Sequence, residues 1–276
     1  MVGKSQFLLM LATLNVALSA FADFKQKATQ LGFSVEEQSF YTRDDYKLIM
    51  VKVFAKTFST PQKPVLLMHG MGMSADSWIM HAQSATESLP LILAGTGHDV
   101  YVGNFRGTWD YSYHKIYDKA KDKEFWEFTI DYFMIDLMET VTNIDRVNKL
   151  AKNDLILMAY DKATTYSLIW MAFVEEVVDV FLDRVVLLGP CNYFNQAMPP
   201  MDDHEWDALA QLELPYIHGP GWNDKLDSIC SSPGHENICK NPMLLKSSRL
   251  PSDFFMNPIT LNEITFFSQN YFAKQL

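Results

Sequence analysis

Apolar positions along this chain fall into short runs separated by longer stretches with helical spacing. Val65 to Met68, Asp99 to Val102, Leu155 to Met158 and Val185 to Leu188 are brief, largely apolar and each followed by a turn. Runs of that length bounded by turn residues predict buried strands. Three stretches with helical periodicity lie among them, Ser77 to Ser88, Phe125 to Val147 and Lys162 to Val174. In the middle one Phe125, Phe128, Tyr132, Ile135, Met138, Val141 and Ile144 share one stripe, the pattern of a helix facing a core. Strands alternating with helices imply βαβ crossovers and a mainly parallel sheet. Ahead of them, Glu37 to Thr42 and Tyr46 to Phe54 flank the turn residues Arg43, Asp44 and Asp45, which predicts an antiparallel hairpin. Past Gly189 the alternation gives way to a Pro-, Asp- and Met-containing stretch expected to form a cap or lid over residues 191–276.

The first residues belong to neither pattern. Lys4 is followed by a mostly apolar run from Phe7 to Leu18, then by Ala20 and Ala22 in the spacing of a signal-peptidase site. Residues 1–22 are therefore expected to be a secretory leader, leaving a core over 23–190 and the lid over 191–276. The apolar run is short for a span of ~20 residues. With 276 residues, 48% of them hydrophobic, the chain can bury a full core. Its formal charge of -10 argues against nucleic acid and against adsorption to anionic headgroups. Of three cysteines, Cys230 and Cys239 sit close together in a Pro/Gly/Ser-rich loop and are expected to pair, closing a loop of ~10 residues worth ~2 to 3 kcal/mol. Cys191 reads as a packed free thiol.

The chemistry centres on Asp154 to Trp170, where an apolar strand, a turn from Ala159 to Ala163 and a helix follow one another. In α/β-hydrolases that turn reads G-x-S-x-G, and the bend lifts a serine hydroxyl above the sheet. Here Asp161 stands at the tip. A carboxylate cannot be converted by a histidine into an alkoxide-like nucleophile, so serine-type ester hydrolysis is not available at that position.

Three further motifs resemble the acid lipases, the α/β-hydrolase family of gastric and lysosomal triacylglycerol and cholesteryl ester lipases. They are VLLMHGMGMSADSW from Val65 to Trp78, LAGTGHDVYVGNFRGTWDYS from Leu93 to Ser112, and EFWEFTIDYFMIDL from Glu124 to Leu137. The order and spacing of these segments agree with that family throughout. The resemblance implies an α/β-hydrolase fold in which Gly70, after His69, turns the amide of Met71 toward the pocket, where with the amide of Lys162 it forms an oxyanion hole. His69 reads as a histidine held by neighbouring backbone. Arg106 reads as the structural partner of a carboxylate such as Asp131 or Asp136. Asp161 is expected to find a partner in Tyr160 or in a backbone amide at the helix N-terminus, and the Lys162 side chain to point away.

The sequence departs from that family at two places. The elbow reads Ala159-Tyr160-Asp161-Lys162-Ala163, without the serine and both glycines. The resemblance also implies two last strands carrying a catalytic Asp and His, for which no counterpart is found before Leu276. The expectation is an α/β-hydrolase lacking those strands, a lumenal or secreted protein without catalysis that binds a lipid or ester, or serves as a subunit, with a protein partner or second copy covering the sheet edge. The alternative is an ester hydrolase whose missing parts lie on another chain or in an incomplete gene model. A third possibility makes Asp161 itself the nucleophile, as in haloalkane dehalogenases and epoxide hydrolases, a route that still needs a histidine-activated water. No cofactor or metal is implied; His235 to Cys239 reads as part of the disulfide loop rather than a zinc site.

Overall fold

A computed structural model describes residues 23–55, 62–190, 216–217, 222–231 and 259–260. The hairpin expected near the start is present and longer than its sequence signal, with β1 (Ser34–Tyr41) antiparallel to β2 (Tyr46–Phe54). The strands β3 (Gln62–Met68), β4 (His98–Gly103), β6 (Leu155–Tyr160) and β7 (Leu182–Leu188) run parallel, and β2 joins them antiparallel to β4. Their order across the sheet is β1-β2-β4-β3-β6-β7, with the short β5 (Ser112–His114) added on β2. This is an α/β-hydrolase sheet. Among the described residues β7 pairs with β6 alone.

Strand alternation divides the core in two. Leu66 and Met68 of β3 and Leu155 and Leu157 of β6 face one layer, while Val65, Leu67 and Ile156 face the other. The first layer is covered by α3 (Asp131–Asn148), α4 (Lys162–Phe173) and α5 (Glu175–Phe181), which bring Leu137, Val141, Tyr166 and Trp170. The second is covered by α1 (Phe24–Gln30) and α2 (Leu89–Gly95), which bring Phe24, Ala28, Leu91 and Ala94. None of α1, α2, α5 or β5 was expected from periodicity; each is too short to show more than a turn or two of pattern.

Two expected helices are corrected. Ser77 to Ser88 is not a helix: it holds two single 3-10 turns, Ala75–Trp78 and Ala85–Glu87. Serine and aspartate side chains divert the backbone there. Ser74 Oγ caps the first turn while the Ser74 amide donates to Ser77 Oγ, Asp76 accepts from the amide of Phe24 at 2.7 Å, and Ser84 and Ser88 are extended. The helix expected from Phe125 begins only at Asp131. Upstream lies a single 3-10 turn, Lys123–Trp126, whose Phe125 carbonyl accepts from the Tyr46 hydroxyl and whose Trp126 Nε1 donates to the Lys119 carbonyl at 2.9 Å, so distant groups hold it short of an α-helix. Phe125 and Phe128 still reach the core. The lid expected over 191–276 lies almost wholly outside the described residues, apart from β8 (Tyr216–Ile217), α6 (Trp222–Cys230) and β9 (Ile259–Thr260). Cys230 ends α6, whereas Cys239 and Cys191 lie outside.

Candidate functional site

At the carboxyl end of the sheet β3 and β6 are in register, with Met68 opposite Ala159, so the turns that follow them meet. Beyond β6 the chain enters α4 through Asp161, whose backbone adopts φ 51 and ψ -119. A non-glycine residue there is strained by about 1 to 3 kcal/mol and needs support from its surroundings. That support comes from the backbone. The Asp161 amide donates to the Leu188 carbonyl at 3.0 Å, and its carbonyl accepts from the Thr164 amide at 2.9 Å and hydroxyl at 2.6 Å. Ala159 and Ala163 on either side are buried, and both are small enough for strand and helix to come close.

The Asp161 side chain does not cap α4. Its Oδ2 accepts the amide hydrogen of Met71 at 2.8 Å, across the gap between the two turns. The partner expected for this carboxylate, Tyr160 or the helix N-terminus, is therefore corrected: the amide expected to wait for an oxyanion is taken by the chain's own carboxylate. Gly70 makes the fit possible. A Cβ there would stand 2.8 Å from Asp161 Oδ2 and 2.9 Å from its Cβ. Below the turns His69 is buried, with Nδ1 2.8 Å from the Gly70 carbonyl and Nε2 3.3 Å from the Phe105 amide. These partners assign the neutral ring with hydrogen on Nδ1. Burial, and then the nearby charge of Lys162, push the His69 pKa down to about 3. Lys162 does not point away as expected. Its side chain is buried, with Nζ 4.6 Å from the centre of the Phe133 ring and 5.5 Å from that of Phe105.

The loop after β4 makes the other turn at this end. Arg106 is buried and forms ion pairs with Asp136 of α3 at 2.7 Å and with Asp44 of the β1–β2 turn at 2.6 Å. Its guanidinium also lies over Tyr46 and Tyr132, 4.4 and 4.7 Å from the ring centres. Burial opposes its charge, but the two carboxylates more than offset that and hold its pKa above the ordinary value. Asp136 was one of two anticipated partners; Asp131 takes no part in these pairs, and Asp44 was missed because it read as a turn residue. Asn104, on the same loop, accepts from the Ala75 amide and donates to the Ile49 carbonyl, each at 2.8 Å.

Residues 24–82 match the family described as the partial alpha/beta-hydrolase lipase region. Triacylglycerol lipase 1 of Arabidopsis thaliana is 34% identical over 173 residues, covering 61% of this chain and 42% of that protein. Human gastric triacylglycerol lipase is 34% identical over 153 residues, 53% of this chain and 37% of its own. The chain is an acid lipase-like α/β-hydrolase. It spans about half the length, or less, of the curated relatives it matches. The fold of this lipase-like chain also agrees with that of a solved Sulfolobus solfataricus protein whose lipase assignment is itself provisional, with TM-score 0.51 at 17% identity over 75% of this chain and 62% of that one. Among its described residues no group of three or more His, Cys, Asp or Glu could hold a metal ion.

Proposed function

We propose that this lipase-like chain binds a neutral lipid or ester in the secretory pathway without hydrolysing it, as a lipid-binding or structural subunit. One observation carries the reading: the carboxylate of Asp161 stands at the tip of the strained elbow and occupies the Met71 amide. An acyl-transfer site needs a hydroxyl or thiol at the tip and a vacant amide for the negative oxygen that develops on the substrate. Asp161 supplies neither, and its charge would repel that oxygen. His69 does not supply a base, since Nδ1 donates its hydrogen to the Gly70 carbonyl and the lone pair of Nε2 accepts from the Phe105 amide. The secretory assignment rests on the leader pattern of residues 1–22.

The test is hydrolysis of tributyrin and of cholesteryl oleate by the purified chain and by Asp161→Ala. Neither should turn over ester above the buffer rate at acid or neutral pH. Turnover by the native chain that disappears in Asp161→Ala would make the carboxylate a nucleophile and overturn the reading. Binding is read separately, with a fluorescent cholesteryl ester that saturates on the native chain.

A further inference from the structure

An acyl-transfer site aims hydrogen-bond donors at its ligand, and the group that fits them is an acceptor, the carbonyl oxygen of an ester. At this elbow the polarity is reversed. Of the two amides expected to serve such an oxygen, that of Met71 is taken by Asp161 Oδ2 at 2.8 Å, and a carboxylate stands next in the chain to the other, that of Lys162. The amide of Asp161 itself donates to the Leu188 carbonyl. Among the described residues nothing donates to the second carboxylate oxygen, Oδ1, and the residue is only partly buried, so the elbow tip can accept a hydrogen bond from an incoming group. Apolar surface adjoins it. The Tyr160 ring, 37% exposed, lies between two glycines, where added Cβ atoms at Gly70 and Gly189 would stand 3.2 and 3.7 Å away, and it meets Trp78 edge to face with centres 6.0 Å apart.

Nearby charge then sorts the donors that could come. Lys162 already buries an ammonium against Phe105 and Phe133, which disfavours a second cation beside it, and Asp161 repels a fatty-acid anion. A neutral hydroxyl meets neither penalty. We infer that the elbow takes a lipid alcohol, a sterol or a long-chain alcohol, in preference to its ester, with the hydroxyl donating to Asp161 Oδ1 and the apolar body lying beside Tyr160 and Trp78. The inference rests on the reading of the chain as a lipid binder and names the ligand class that this site prefers. A hydrogen bond to an ionised acceptor is among the stronger kinds, and an ester, which has no hydrogen to give, forgoes it.

The test is equilibrium binding of radiolabelled cholesterol, cholesteryl acetate, 1-hexadecanol, hexadecyl acetate and palmitate to the full chain at neutral pH. At least one alcohol should bind about tenfold or more tighter than its own acetate, with palmitate weaker than that alcohol. Which alcohol does so separates a sterol ligand from a straight-chain one. Asp161→Asn is the sharper arm, because the amide oxygen can keep the Met71 bond while the NH2 group replaces Oδ1 and turns an acceptor into a donor. The preference should fall to parity or reverse toward the acetate, with the thermal midpoint little changed. Equal binding of alcohol and acetate by the native chain, palmitate binding tightest, or a preference that survives Asp161→Asn would overturn the inference and leave lipid binding in place. No binding of any of these lipids would overturn both readings.

Discussion

Two turns at the carboxyl end of the sheet are both built from motifs resembling the acid lipases, and they hold their shape by opposite means. At the elbow the conformation is fixed by backbone bonds to Leu188 and Thr164 and by the small Ala159 and Ala163; among the described residues the side chain at the tip accepts one hydrogen bond, from the Met71 amide. After β4 the side chain is the fixture: Arg106 ties the hairpin turn, its own loop and α3 through two carboxylates and the rings of Tyr46, Tyr132 and Phe128. A turn held by backbone can change its reactive residue without losing its form. One held by a buried charge cannot exchange that residue without exposing its partners to an uncompensated burial.

The largest expected effect follows from that difference. Arg106→Met removes a cation from between Asp136, wholly buried, and Asp44, and should cost about 3 to 5 kcal/mol in denaturant unfolding, as when one partner of a buried ion pair is lost. Asp161→Ala should cost far less in the same assay. Equal losses would mean that the elbow, too, depends on its side chain.

Next comes acid sensitivity. The folded-state pKa of His69 is lowered to about 3, so the unfolded chain takes up a proton that the folded chain refuses. This contribution is complete above the unfolded value of about 6.5 and is lost as pH falls, at about 1.4 kcal/mol per unit until the folded value is reached. Between about pH 7.5 and 4.5 the loss should be about 3 kcal/mol, and His69→Gln should flatten that slope. A slope unchanged by the substitution would place the acid-sensitive group elsewhere.

Smaller again is the coupling across the elbow. Gly70→Ala should destabilise by about 1 to 3 kcal/mol, because its Cβ would press on the Asp161 side chain. In an Asp161→Gly background most of that penalty should vanish, and a double-mutant cycle measures the difference. Additive effects would show that the two residues do not meet. The smallest effect is at the surface, where Arg43→Ala breaks an ion pair with Glu139 that is exposed on the arginine side and should change stability by less than about 1 kcal/mol.

The sheet was legible because its strands are short apolar runs whose alternation carries both faces at once; Val65 to Met68 feed the two core layers in turn. The place of Asp161 was legible as well, since the bend needs only small residues at fixed spacing. Its partner was not. Nothing near Asp161 in sequence points to Met71, which β3 and the sheet register bring to it. The false helix from Ser77 to Ser88 failed for a related reason: periodicity counts apolar positions, whereas Ser74 and Asp76 spend their side chains on backbone and distant groups, and Ser84 on the side chains of Thr86 and Glu87. Lys162 was expected to point away on the helix, but the rings of Phe105 and Phe133 accept the ammonium from within.

The backbone bonds that hold the elbow also make position 161 a socket for chemical labelling. A cysteine placed there would inherit the raised, inward-facing geometry that the aspartate now has, beside an amide no longer claimed by a carboxylate. Thiol-reactive acyl chains of graded length, attached at that one atom, would then measure how far the space above the sheet extends and which side chains line it.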